Sequence, residues 1–195
     1  MKMLNNEQLE KIKQFALDLD WEQAFDGKSK GNRHLFRIVA LAKQLAQDYP
    51  VDMTIVEAGA WLHDTNLSVT IAGSTLANEE KVRSLMNSLN VSQADAEKIL
   101  HCIEAHDGRV IALSLEAKII HDADTLEKMG SLGVIRETWK RSQLGWTTEK
   151  ILEHLQIHLQ KREKNLYLPE AKKRAKYLNR VLPVFFEIAQ EQLKE

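Results

Sequence analysis

Cysteine is almost missing: Cys102 is the only one among 195 residues. No intramolecular disulfide can form, so there is no disulfide partner, and zinc modules built on several cysteines are excluded. Proline and glycine are scarce as well, with 3 and 8 residues. Tight turns and hairpins draw heavily on both, so an all-β fold is hard to build from this chain. Charge of one sign is also lacking. The 27 Lys and Arg stand against 28 Asp and Glu, a formal net charge of -1. No excess advertises nucleic acid or an anionic membrane as partner. No run reaches the roughly 18 consecutive apolar residues of a membrane span. Residues 1–20 alternate apolar and charged side chains, without the apolar core of a signal peptide. These absences lead us to expect a cytoplasmic protein, a setting that low cysteine usage also suits.

What is present is ordinary for a globular chain. Hydrophobic residues make up 44% and charged residues 28%, which argues against disorder and against a coiled-coil rod. The length is enough to bury a core without covalent staples. Most of the sequence has helical spacing. Asn5 or Asn6 precedes a stripe of Leu9, Ile12, Phe15, Ala16 and Leu19. Leu35, Ile38, Val39, Ala42 and Leu45 form a second stripe. Pro50 and Asp52 open a third helix, to about Leu62. Residues 65–72 show no period and read as a loop, followed by a helix to about Leu89. Ser92 and Asp95 resemble a capping box for a helix that Asp107-Gly108 stops. Further helices are predicted from about Leu115 to Lys128, within Gly130 to Gly145, and from Thr147 or Thr148 to about Asn165. Pro169 opens a terminal helix that Pro183 should kink or split. We expect one all-α domain over residues 1–195, with a core at about 20–140 and C-terminal helices at about 147–194 packed on it.

Five of the seven histidines draw attention. His34 begins a helix, and His63-Asp64 ends one, behind an apolar run. His101 and His106 share the fifth helix, and His121-Asp122-Ala-Asp124 interrupts an apolar sixth. Aspartates are almost never fully buried unless they are paired or bind a metal. Singly, each of these residues could be a cap or a hydrogen-bonded core group. Together they offer imidazoles and carboxylates from several helices of one bundle, a ligand set for Mn, Fe, Ni, Co or Zn, and less well for Ca. His154 and His158 stand four apart, the spacing of a two-histidine clip, but on a polar amphipathic helix they read as surface residues. The basic run Lys172, Lys173, Arg174, Lys176 and Arg180 has Glu163, Glu170 and Glu187 around it and reads as a solvated face.

Four phrases in order carry a resemblance. His34-Leu-Phe-Arg37-Ile-Val-Ala-Leu-Ala is similar to an "H-x-x-R-V-x-x-L-A" helix, and Ala60-Trp-Leu-His63-Asp64 to "A-x-L-H-D". Ile103-Glu-Ala-His106 is similar to "I-x-x-H", and Asp122-Ala-Asp124-Thr-Leu-Glu-Lys128-Met-Gly130 to "D-A-D-x-L-D-x-x-G". The chain thus resembles the HD superfamily of metal-dependent phosphohydrolases, in a branch of small bacterial hydrolases, from about residue 20 onward. The resemblance implies a single-domain helical bundle of the HD type. It implies a divalent metal ion held by His34, His63, Asp64 and Asp124, and a phosphorylated small molecule as substrate, a nucleotide among the candidates. Asp64 and His106 are then the catalytic candidates.

Arg37, one turn after His34, and Lys128, one turn after Asp124, are candidates for substrate charge; ordinary ion pairs are the alternative. Arg109 is a weaker one. Two departures matter. No histidine lies between Asp64 and His101, where members holding two metals have one. Leu67 stands where the deoxynucleotidases of the family carry a catalytic Glu. The alternative readings are a catalytically weak module that binds a nucleotide or other phosphorylated ligand, a di-iron oxygenase, and a helical adaptor without metal.

Overall fold

Short polar side chains start the helices in the computed structural model, which describes residues 4–66 and 76–194. Asn5 accepts the Gln8 amide at 2.9 Å, and the Gln8 side chain returns a bond from the Asn5 amide. Asp52 takes the amide of Thr54, Ser92 that of Asp95, Ser114 that of Ala117, and Thr147 that of Lys150. Each satisfies a donor that a helix start leaves open. The Ser92 hydroxyl also donates to the Asp95 carboxylate at 2.7 Å. The described residues contain ten α-helices, three short 3-10 turns and no strand. The fold is all-α, as the sequence predicts. None of these helices is long and apolar enough to cross a membrane.

The chain divides into two compact units, residues 1–123 and 124–195. The first contains α1 (Asn6–Glu22), α2 (His34–Ala46), α3 (Met53–Leu62), α4 (Leu76–Ser88) and α5 (Gln93–Ala105). It ends within α6 (Leu115–Glu127), which runs unbroken past the division. The loop predicted for residues 65–72 lies mostly outside the described residues, as does Leu67.

Helix α3 is central to this unit. Ile55, Val56, Ala58, Gly59, Ala60, Trp61 and Leu62 are all buried, the mark of a helix surrounded by others. It packs on α1, α2 and α5. Gly59 is where its neighbours come closest. A Cβ there would stand 2.6 Å from Ile120 Cδ1 and 2.9 Å from Cys102 Cβ. Cys102 is itself fully buried, and burial pushes its thiol pKa up, so it acts as a packing residue. Gly59→Ala would gain about 1 kcal/mol of helix propensity and lose about 1–3 kcal/mol to overpacking. We expect a lower urea midpoint; an unchanged or higher one would contradict this packing.

The second unit contains α7 (Gly130–Gln143), α8 (Thr148–Arg162), α9 (Pro169–Leu178) and α10 (Leu182–Gln192). Within residues 130–145 there is one helix, α7, where the sequence allowed two. Pro183 splits the terminal helix as predicted: α9 stops, a 3-10 turn covers Asn179–Val181, and α10 starts with the proline in its first turn. Ile151, Leu152, Leu155 and Leu159 of α8 meet Leu182 and Phe186 of α10 in the core.

Beside that core, Glu137 is buried and accepts from Arg162 Nη2 at 3.0 Å. Arg141 Nε and His154 Nε2 each lie 3.3 Å from its other oxygen. Burial alone would raise this carboxyl. The charge and hydrogen bond of Arg162, then Arg141 and Lys140, outweigh it and lower the pKa from 4.5 to about 2. A depressed acid stabilises the fold above its unfolded pKa and loses that contribution as pH falls through the folded one. A shift of this size corresponds to about 3 kcal/mol. Glu137→Gln should therefore lower the urea midpoint at neutral pH and remove part of the stability loss between pH 4.5 and about 2. Matching acid profiles for the two proteins would contradict it.

The surface reading of the late histidine pair holds for one member only. His158 is exposed, whereas His154 is tucked beside Glu137 and the Trp146 ring, 5.3 Å away. Burial, then Arg141, lowers the His154 pKa, and burial, then Arg162, lowers that of His158.

Candidate metal centre

Helix α3 ends in a 3-10 turn, His63–Asn66, which tightens the chain just where the apolar run stops. His63 is completely buried, while Asp64 keeps 28% of its side chain exposed. His34, the first residue of α2, is buried against them. Its Nε2 lies 3.2 Å from His63 Nε2 and 3.0 Å from Asp64 Oδ2. His63 Nε2 is 3.4 Å from the same oxygen. His106, at the end of α5, places Nε2 3.5 Å from Asp64 Oδ1. Four sequence candidates thus converge from three segments.

The far sides of two rings determine their protonation. His63 Nδ1 donates to the Ala60 carbonyl at 2.8 Å, and His106 Nδ1 donates to the Ile103 carbonyl at 2.6 Å. A carbonyl only accepts, so the proton of each neutral ring sits on Nδ1 and Nε2 presents a lone pair. This outer hydrogen bond is the one that metal-ligating histidines make. Burial alone would raise the Asp64 carboxyl. The imidazoles of His63, His106 and His34 that face it prevail and hold it well below the usual carboxylate range.

Asp124 stands on α6, one residue past the division of the chain but on the same unbroken helix. Ligand atoms of His34, His63 and Asp124 all lie within 4.8 Å of one another, and all three residues are buried. Buried imidazoles and a carboxylate, with ring lone pairs turned inward, fit a divalent cation.

The remaining candidates are placed differently. Arg37 is half-buried on α2, with Nη2 3.5 Å from Asn32 Oδ1. Lys128 forms an ion pair with Asp124. His101, which needed a bent helix end to join His106, instead accepts the Leu113 amide at 3.0 Å and steadies the following loop. Arg109 bonds Asp107 at 2.5 Å on the surface. Asp122 is fully buried and accepts from His121 Nδ1 at 3.0 Å, which compensates its charge. Gly108 makes room behind that pair: its φ is +80°, and a Cβ there would stand 3.4 Å from His121 Nε2.

Known proteins carry the same framework. Bacillus subtilis YpgQ, an uncharacterized protein, is 26% identical over 137 residues. That alignment spans 66% of this chain and 66% of YpgQ, just under two thirds of the relative's length. A Lactobacillus plantarum protein superposes with a TM-score of 0.80 at 24% identity, covering 98% of this chain and 99% of that one. An HD-superfamily hydrolase of Bacillus thuringiensis gives 0.74 at 24%, covering 96% and 97%. YpgQ in complex with ADP gives 0.75 at 20%, covering 95% of each chain. At these identities the superpositions establish the fold. The sequence model of the HD domain matches residues 32–129, a stretch that starts just before His34, takes in the His63-Asp64 pair and ends just after Asp124. On that match, and on the buried histidine and aspartate group it encloses, the chain belongs to the HD domain family.

Proposed function

We propose that the protein is a metal-dependent phosphohydrolase acting on a phosphate ester of a small molecule, with a nucleotide the favoured substrate class. The observation that carries this reading is the convergence of His34, His63 and Asp64, with Nε2 and Oδ2 atoms 3.0 to 3.4 Å apart, beside buried Asp124. Those four residues would hold the divalent ion; their mixed nitrogen and oxygen set suits Mn, Ni, Co, Fe or Zn, with Mg a further candidate through the carboxylates and the substrate's phosphate oxygens. When bound, the ion lowers the pKa of water and offsets charge on phosphoryl oxygens.

The chain's own groups do the rest. Asp64 stays ionised, so its partly exposed carboxylate can serve as an anionic ligand and accept a hydrogen bond from the attacking water at Oδ1 or Oδ2. His106 Nε2 can receive a proton from that water and return it, because Nδ1 is tied to Ile103 and orients the ring. Arg37 and Lys128 supply fixed positive charge for a phosphate, in addition to the contacts they already make. The nucleotide preference draws on the ADP complex of YpgQ.

The same complex favours one other reading, a module that binds a nucleotide without turning it over. Incubation with a panel of nucleotides, phosphomonoesters, diesters and pyrophosphates plus Mn²⁺ separates the two. We expect multiple turnovers on at least one compound, abolished by EDTA. Stoichiometric binding of ADP with no turnover of any compound would select the binding module instead.

A further inference from the structure

Lys128 follows the last residue of α6, and its carbonyl belongs to the helix end, where acceptors lack partners within the helix. Arg162, at the end of α8, donates Nη1 to that carbonyl at 2.7 Å. Its Nη2 donates to Glu137 Oε1 at 3.0 Å, so the guanidinium is held from both sides. Gly133 backs the same carbonyl so closely that a Cβ there would stand 2.2 Å from it. Buried Glu127, on the same last turn, pairs with Arg136 of α7. One turn back from Lys128 is Asp124, and the Lys128 ammonium is paired with its carboxylate. The end of α6 is therefore capped, backed and charge-paired at the turn that presents Asp124.

We propose that Arg162 is a positioning residue for Asp124: it caps the end of α6 through the Lys128 carbonyl and so sets where the Asp124 carboxylate stands. This rests on the reading of Asp124 as a metal ligand. The physical reason is tolerance. Ligand distances in metal sites hold to within about 0.2 Å, whereas an uncapped last turn frays. Arg is the residue type the job requires, because its planar fork reaches two acceptors at once. A lysine ammonium is a compact point charge without that fork, so it should hold the two acceptors less well.

The test is a direct Mn²⁺ titration of the full chain, read by the electron spin resonance of free Mn²⁺, which needs no substrate. Outer partners of metal ligands typically govern about 10–100-fold in affinity. We expect Arg162→Ala to weaken Mn²⁺ binding by about tenfold or more, and Arg162→Lys to fall between it and wild type. Leu155→Ala, in the core between α8 and α10, is the control: it should lower the melting temperature at least as much and leave the Mn²⁺ affinity unchanged. Wild-type affinity in a folded Arg162→Ala protein overturns the proposal; if that variant does not fold, wild-type affinity in Arg162→Lys does so. An equal loss in Leu155→Ala also overturns it, since general loosening would then suffice. Wild type that binds no Mn²⁺ at all refutes the metal centre itself, and this inference with it.

Discussion

Asp64→Ala should bind no stoichiometric metal and should lose more than about 100-fold in turnover, with its helical content unchanged. Removing an outer partner of a metal ligand costs about 10–100-fold, and Asp64 is closer than an outer partner, with Oδ2 3.0 Å from His34 Nε2. The side chain lies in the 3-10 turn after α3, outside the apolar contacts that hold that helix. Its carboxylate is also the anionic centre among His34, His63 and His106, so the variant loses what draws the three rings together. Circular dichroism, metal content by mass spectrometry and phosphate release on one preparation check all three points. Retained metal and retained turnover would remove Asp64 from the site.

His106→Ala should divide binding from chemistry. A positioned acid or base contributes about 100- to 10,000-fold, and His106 is assigned that role, not a ligand position. We expect kcat to fall within that range, while Mn²⁺ affinity changes by less than about tenfold. The alternative is that His106 only steadies Asp64 across 3.5 Å. In that case metal affinity and kcat would fall together. Turnover within about tenfold of wild type would leave His106 without a catalytic role.

Local features were the ones legible in the sequence. Asn5, Asp52, Ser92 and Thr147 announce helix starts because a cap acts within three residues. Pro183 announces the break before α10 because its ring forbids a continuous helix. The His63-Asp64 pair was legible for a related reason: charge placed directly behind an apolar helix is anomalous without a partner. The partnerships that cross long stretches of chain were not. Glu137 meets Arg162 over 25 residues, and Arg162 meets the Lys128 carbonyl over 34. Nothing in either neighbourhood distinguishes those residues from solvated charges. His101 shows the same limit, since its partner is a backbone amide, a group that every residue but proline carries. Phe25 and Asp26 adopt φ values of +52° and +55° just before Gly27, a turn whose need for the left-handed region only coordinates reveal.

We propose that turnover depends on a divalent ion held at His34, His63, Asp64 and Asp124. The most direct measurement is phosphate release from the nucleotide and phosphoester panel by wild type and Asp64→Ala side by side, with Mn²⁺, Ni²⁺, Co²⁺ or Mg²⁺ added and with EDTA. We expect turnover in wild type that both EDTA and the substitution abolish. Turnover that survives either one would contradict it.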